Sequence, residues 1–245
     1  MPNWVYGDYA IKGKKENVLR FLNEGLKNSC CEPQTNCLDA YNLLLNNAKV
    51  RTYKEVSYSS EIGRVEDKPK EIIYRKGLTF DTFRPMPDTF LKFDTTNDND
   101  NKMPNIKKQQ EEEFGVVGWY DWGVQYRGTK WDSDLEDFRL NECGEIATIT
   151  FHANTAWSYP DYWLAWVRDT FDVHVLLCVT EESNEFAFYG ELDTEQINAD
   201  ERNAPKEEDF ADIDDYYEAV CDWEEERSMK MYFDFVNYVD DFEID

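Results

Sequence analysis

Residues 145–190, EIATITFHANTAWSYPDYWLAWVRDTFDVHVLLCVTEESNEFAFYG, carry the pattern that decides the fold. From Glu145 to Asn154 apolar and polar residues alternate, with Ala147, Ile149, Phe151 and Ala153 on one side. That two-residue period belongs to a strand buried on one face. Ser158 to Asp161 reads as a helix start. Pro160 suits a first turn, where a missing N–H costs nothing, and Asp161 suits the positive end of the helix dipole. The helix runs to about Phe171 and turns Leu164, Val167 and Phe171 to a core. Asp172 to Thr180 alternates again through Val173, Val175, Leu177 and Val179. Glu181 to Asn184 is a turn, and Phe186 and Phe188 lead into Gly190 as the hairpin partner.

The N-terminus opens in the same way. Trp4 to Ile11 reads as a strand ended by Gly13, and Lys14 to Lys27 as a helix with Val18, Phe21, Leu22 and Leu26 on one face. A second helix is expected from about Leu38 to Lys49. Arg51 to Lys76 is polar and carries no clear period, Phe83 to Pro87 is short and extended, and Asp88 suits the start of a turn holding Phe90 and Leu91. Lys92 to Glu113 reads as a solvated loop, and its acidic run lacks the spacing, central Gly and closing Glu of a calcium loop. Strand, helix, long insertion, strand, helix, strand, strand is the order of an α+β domain. It makes an antiparallel sheet with helices packed on one face.

The chain has 245 residues, 41 % of them apolar and 16 % aromatic, which is enough for a real core and unlike a disordered protein. No segment reaches the length of an apolar membrane span, and Met1 to Gly13 lacks the pattern of an export signal, so the expected location is cytoplasmic. Cys30, Cys31, Cys37, Cys143, Cys178 and Cys221 form no disulfide framework and no zinc spacing, and read as structural thiols. Net charge is −26, and it is uneven. Residues 191–245 hold 21 acidic and 4 basic side chains, net −17. Such a surface repels nucleic acid and anionic membranes and attracts a basic partner. The same segment carries Tyr216, Tyr217, Trp223, Met231, Phe235 and Val239, so it is expected to be an acidic, aromatic-rich helical extension from about Ile213 to Val239, docked on the domain or on a partner.

Six of the eight tryptophans lie between Trp119 and Trp166. They fall in two cassettes, Trp119-Tyr120-Asp121-Trp122 leading to Gly128-Thr129-Lys130-Trp131-Asp132, and Phe151 followed by Thr155-Ala156-Trp157-Ser158. With Pro2-Asn3-Trp4, Lys12-Gly13, Pro85-Met86-Pro87, and Phe186 with Gly190, these runs resemble, in order, the motifs of the YubB-type ferredoxin-like family of phage, plasmid and mobile-element proteins. Tyr126-Arg127 and Tyr159 depart from its usual pattern. The resemblance implies a ferredoxin-like domain over 1–190, with insertions at about 28–113, and a host-cell cytoplasmic setting. It implies no reaction, and 191–245 has no counterpart in it.

Lys130, Asp121, Asp132, His152 and Thr155 are the side chains that could do acid–base work, but no phosphate loop, zinc motif, nucleophile elbow or dinucleotide fingerprint accompanies them. No catalytic, metal or cofactor residue is therefore assigned, and binding is expected rather than catalysis. Two surfaces are candidates. Trp122, Lys130, Trp131, His152 and Trp157 form either a ligand pocket, for a small molecule or nucleotide, or part of the core, with Trp131 and Trp157 packed together. Glu207, Glu208, Asp209, Asp212, Asp214, Asp215, Glu218, Asp222, Trp223, Glu224, Glu225 and Glu226 form a partner surface. The expected partner is a basic host protein, such as a nuclease or defence complex whose nucleic-acid groove the carboxylates imitate; self-association is left open.

Overall fold

The computed structural model describes residues 3–53, 72–93, 95, 103–183, 186–199 and 204–244. Strand β1 (Trp4–Lys14) runs into helix α1 (Lys15–Asn28), followed by α2 (Cys37–Asn47). A hairpin of β2 (Lys49–Tyr53) and β3 (Ile72–Lys76) precedes α3 (Phe80–Phe83), α4 (Asp88–Lys92), α5 (Pro104–Phe114) and α6 (Gly118–Arg127). Then come β4 (Glu136–Cys143), β5 (Ile146–Ala156), α7 (Asp161–Phe171), β6 (His174–Glu181), β7 (Ala187–Glu191), β8 (Ile197–Asn198) and α8 (Ile213–Asp241).

Six strands form one antiparallel sheet in the order β4-β5-β1-β6-β7-β8. β1 is central. It pairs with β5 from Trp4 opposite Ala156 to Lys14 opposite Ile146, and with β6 from Val5 opposite Glu181 to Lys12 opposite His174. β1-α1-β4 and β5-α7-β6 each skip one strand, which is the split β-α-β connectivity of ferredoxin-like sheets. β7 and β8 extend the β6 side.

Alternation assigns the two faces. Val5, Tyr9 and Ile11 of β1, Ile149 and Phe151 of β5, and Val175, Leu177 and Val179 of β6 point into the main core under α1, α3 and α7. Its centre is aromatic. Phe21 stacks on Phe83 at 4.2 Å, and Trp163 touches Phe21, Phe80, Phe83 and Phe151. The Trp163 indole N–H donates to the Phe80 carbonyl at 3.2 Å, so the largest buried ring leaves no donor unmet.

The second face carries Ala10, Leu176 and Cys178, which are buried against Met231, Phe235 and Val239 of α8. Lys12 Nζ donates to the Val239 carbonyl at 2.6 Å, capping an acceptor that the last turn of a helix leaves unmet. The acidic extension is thus a helix, as its composition suggests, and it forms a second layer of helix over β6 and β7. Among the described residues, the Trp4 end of β1 on that face is left uncovered by α8, with Trp4 and Tyr6 exposed.

Several segments differ from the sequence reading: Phe83, read as extended, ends α3, the polar stretch 51–76 contributes to the β2–β3 pair, and two further cases have a clear cause. Of the stretch read as a loop from Lys92 to Glu113, residues 94 and 96–102 lie outside the described residues, and 104–113 belong to α5, which ends at Phe114. Gln110 explains the difference. Fully buried, it accepts from Thr95 Oγ1 at 2.7 Å and from the Gly118 N–H at 3.2 Å, and donates to the Thr89 carbonyl at 3.2 Å. A polar anchor of this kind leaves no trace in apolar periodicity. Met86 and Phe90 join Trp122 in a small satellite core beside it. β4 is the second difference: only Phe138 is buried along its length, so it shows almost no alternation.

Trp163→Ala should remove the centre of the core. The expected loss is about 3–5 kcal/mol of unfolding free energy, read from denaturant titration.

Candidate functional site

The cassette after Trp119 is shaped by backbone contact before it is shaped by side chains. α6 ends at Gly128, in the left-handed conformation at φ 90°. A Cβ on Gly128 would collide with the Asp161 carboxylate, and one on Gly123 would lie 2.6 Å from the Lys130 carbonyl. Those two glycines let residues 128–132 fold back across α6. Thr129 Oγ1 then donates to the Ala156 carbonyl at 2.9 Å, and Ser133 Oγ to the Asn154 carbonyl at 2.6 Å, tying the loop to the end of β5.

An ionic cluster lies beneath it. Arg127 is buried and donates to Asp81 at 2.8 Å; its Nε is 3.9 Å from Asp132. Asp81 also accepts from the Met86 N–H at 2.9 Å, so the Met-Pro element is held by the same carboxylate. Asp132 accepts from the Asp81 N–H at 3.2 Å. Burial, and then the Asp81 charge, push the Asp132 carboxyl up to about 6, against the pull of Arg127. One guanidinium between two carboxylates does not hold both as anions at equal ease.

Above this cluster the loop and the sheet enclose a cavity of about 280 Å³. Its wall includes Trp4 of β1, Arg75 of β3, Trp131, Asp134, Glu136 and Asn154. The Trp4 and Trp131 rings are 6.1 Å apart and tilted by 40°. Lys130 Nζ lies 4.6 Å from the Trp131 ring and 5.5 Å from that of Tyr120. Arg75 pairs with Asp134 at 2.6 Å. Next to the cavity, on the open sheet face, His152 contacts Asn154 Oδ1 at 2.8 Å and Asp8 at 3.3 Å. The Asp8 contact raises the His152 pKa, partly opposed by burial.

The five side chains expected to form a pocket therefore separate. Trp131 lines the cavity, Lys130 lies against the Trp131 and Tyr120 rings outside its wall, and His152 reaches it through Asn154. Trp122 is buried in the satellite core with Phe90 and Tyr126, its ring facing Arg127. Trp157 is more than half exposed and held at φ 74°, with its N–H on the Asn3 carbonyl; it is not part of the cavity wall. Trp131 packs on Trp4 rather than on Trp157. Trp4, Arg75, Ser133, Asp134, Glu136 and Asn154 are additions from the structure. Trp4 was accessible in principle, because alternation along β1 sets Trp4, Tyr6 and Asp8 opposite Val5 and Tyr9. Among the described residues no three His, Cys, Asp or Glu side chains gather in a way that could hold a metal ion, and no helix is long and apolar enough to cross a membrane.

The acidic residues lie elsewhere. Glu207, Glu208 and Asp209 form a 3₁₀ turn before α8, and Asp212 caps the helix by accepting from the Asp214 N–H at 2.8 Å. The buried residues of α8 are Arg227, Met231, Phe235 and Val239, all in its C-terminal half. Asp214, Asp215, Glu218, Asp222, Glu225 and Glu226 are exposed, while Trp223 and Glu224 are half-buried, with the Arg227 guanidinium 4.7 Å from the Trp223 ring. From Val239 back to Ile213 the helix spans about 39 Å. β1 spans only about 26 Å from Lys12 to Trp4.

No family model and no curated protein matches the chain. Among solved structures, it is similar to the crystal structure of a protein api92 from Yersinia pseudotuberculosis, described with the family model DUF1281. The match has 10 % identity and a TM-score of 0.29, and covers 77 % of this chain and 93 % of that one.

Two titrations should be visible. Asp132 has a raised carboxyl, so its contribution to stability is full below about 3.8 and is lost as pH rises through about 6. Asp132→Asn should stabilise the protein above pH 6 and leave it unchanged near pH 3.5, measured as the difference in denaturant midpoint across that range. His152 is raised too, so its stabilising pairing with Asp8 is present below about 6.5 and lost above its folded pKa. Asp8→Asn should move the His152 ring resonances to a lower titration midpoint, read by NMR.

Proposed function

We propose that this protein is a non-enzymatic binding module whose partner is a basic protein, engaged by the outer surface of α8. The observation that carries the reading is the two-part outer face of that helix. Its first half presents Asp214, Glu218, Asp222 and Glu226 in a row at four-residue spacing, all exposed. Its second half presents Met229, Tyr232, Phe233 and Val236, which are 37–58 % exposed. Phe233 follows buried Met231 by two residues, about 200° around the helix, so this stripe points away from the sheet. A helix apolar on both sides is usually covered on both sides.

The acidic row is costly to the helix itself. Like charges four residues apart oppose helix formation by about 0.2–0.5 kcal/mol per pair, and the row holds three such pairs. From Glu207 to Glu226 there are 11 acidic residues and no basic one to offset them. A basic partner would turn that cost into attraction and speed the encounter, while the apolar stripe supplies anchors at the centre of an interface. The motif resemblance favours a phage, plasmid or mobile-element setting in the cytoplasm of a host. A nucleic-acid-binding host protein, such as a nuclease or defence complex, would present a groove that a row of carboxylates can fill as a nucleic-acid mimic.

The alternative of a nucleotide site at the Trp131 cavity is weaker on charge. Asp132, Asp134 and Glu136 line it with one arginine, and that arginine is already paired.

The test uses the full chain, immobilised in host lysate, beside a variant carrying Asp214→Asn, Glu218→Gln, Asp222→Asn and Glu226→Gln. The reading expects capture of a nucleic-acid-binding protein that duplex DNA displaces, and a loss of about tenfold or more in the variant, given up to about 1 kcal/mol per exposed pair. Equal capture by both forms, or capture indifferent to DNA and salt, would remove it.

A further inference from the structure

The cavity walled by the Trp4–Trp131 pair has its own ligand chemistry, independent of α8. One cation of this chain already sits at it: Arg75 Nη2 pairs with Asp134 at 2.6 Å. Outside the wall, Lys130 Nζ lies 4.6 Å from the Trp131 ring. The rest of the wall repeats that preference. Two indoles stand 6.1 Å apart with their rings inclined, and Glu136 adds a second exposed carboxylate. Indole faces attract cations through the negative side of the ring quadrupole. A planar guanidinium can stack on an indole and bond a carboxylate through two N–H groups at once, which an ammonium cannot do. At about 280 Å³ the space lies just below the range of about 300–1,000 Å³ typical of ligand sites, which suits a side-chain-sized group and not a dinucleotide.

We infer that this cavity is a binding site for a guanidinium group, either an arginine side chain of a polypeptide or a free guanidino compound, and that Arg75 is its internal occupant. The incoming group takes the Asp134 carboxylate from Arg75 and lies against the packed Trp4–Trp131 pair, with Glu136 at the rim. Arg75 lies half exposed, so releasing it costs little.

The experiment is an NMR titration of the full chain, following the indole N–H signals of Trp4 and Trp131, assigned through Trp4→Phe and Trp131→Phe. The probes are N-acetyl-arginine methylamide, agmatine, and N-acetyl-citrulline methylamide as the neutral isostere. The arginine amide or agmatine should shift both signals saturably, and the citrulline amide should not. Arg75→Ala should tighten binding about two- to fivefold, because an exposed ion pair no longer competes. Asp134→Asn should weaken it. Trp131→Phe should retain a ring and most of the binding, whereas Trp131→Ala should lose it with the sheet resonances unmoved. Tighter binding of the amide would assign the group to a polypeptide, and tighter binding of agmatine to a free compound. Equal shifts with the citrulline amide, no saturable shift, or binding that Arg75→Ala weakens would overturn the assignment.

Discussion

The structure depends on how the second face of its sheet is covered. β6 carries apolar side chains on both sides, and β1 does so at Ala10, so this part of the second face cannot lie in water. The main core takes one set, Tyr9, Ile11, Val175 and Leu177. The other set, Ala10, Leu176 and Cys178, would lie open without α8. Burying such side chains is worth about 25 cal/mol per Å² of apolar area, which binds the C-terminal helix into the fold. Where the second face turns polar, at Asp8, His152 and Asn154, no helix is needed, and among the described residues none covers it. The open part of the sheet and the helix beside it follow from one pattern of residues.

That division separates two surfaces with different chemistry. α8 uses its inner stripe for the sheet, and its outer side is acidic at one end and aromatic at the other, with Asp214, Glu218, Asp222, Tyr232 and Phe233 exposed. The cavity at the Trp4 end of β1 is small, walled by indoles and carboxylates, and fixed from below by the Arg127 cluster. Both favour positive charge. They do so by different means, one through long-range field over a flat helix, the other through close contact in a recess.

The parts legible in the sequence were those where burial imposes a period. β1, α1, β5, α7 and β6 each show a clean apolar face, and their order in the chain leads to the antiparallel α+β arrangement. β4 escaped notice because an edge strand with only Phe138 buried has little to alternate. α5 escaped because its anchor is Gln110, a polar residue satisfied on several sides. The tryptophan cassettes were legible as a cluster but not as a site. Trp122 and Trp131 look alike in sequence, yet one faces Phe90 and the other faces Trp4, 127 residues away in the chain. Only the sheet register brings Trp4 to that position.

α8 is one helix with a docked half and a presented half, and hydrogen exchange across 213–241 distinguishes the two. The account predicts slow exchange from about Arg227 to Asp241, approaching that of β6, and much faster exchange from Ile213 to Asp222, where no residue is buried. Uniform slow exchange along the helix would mean that the acidic half is held by the domain. Fast exchange throughout would mean that the helix does not dock at all. Either result would contradict the account.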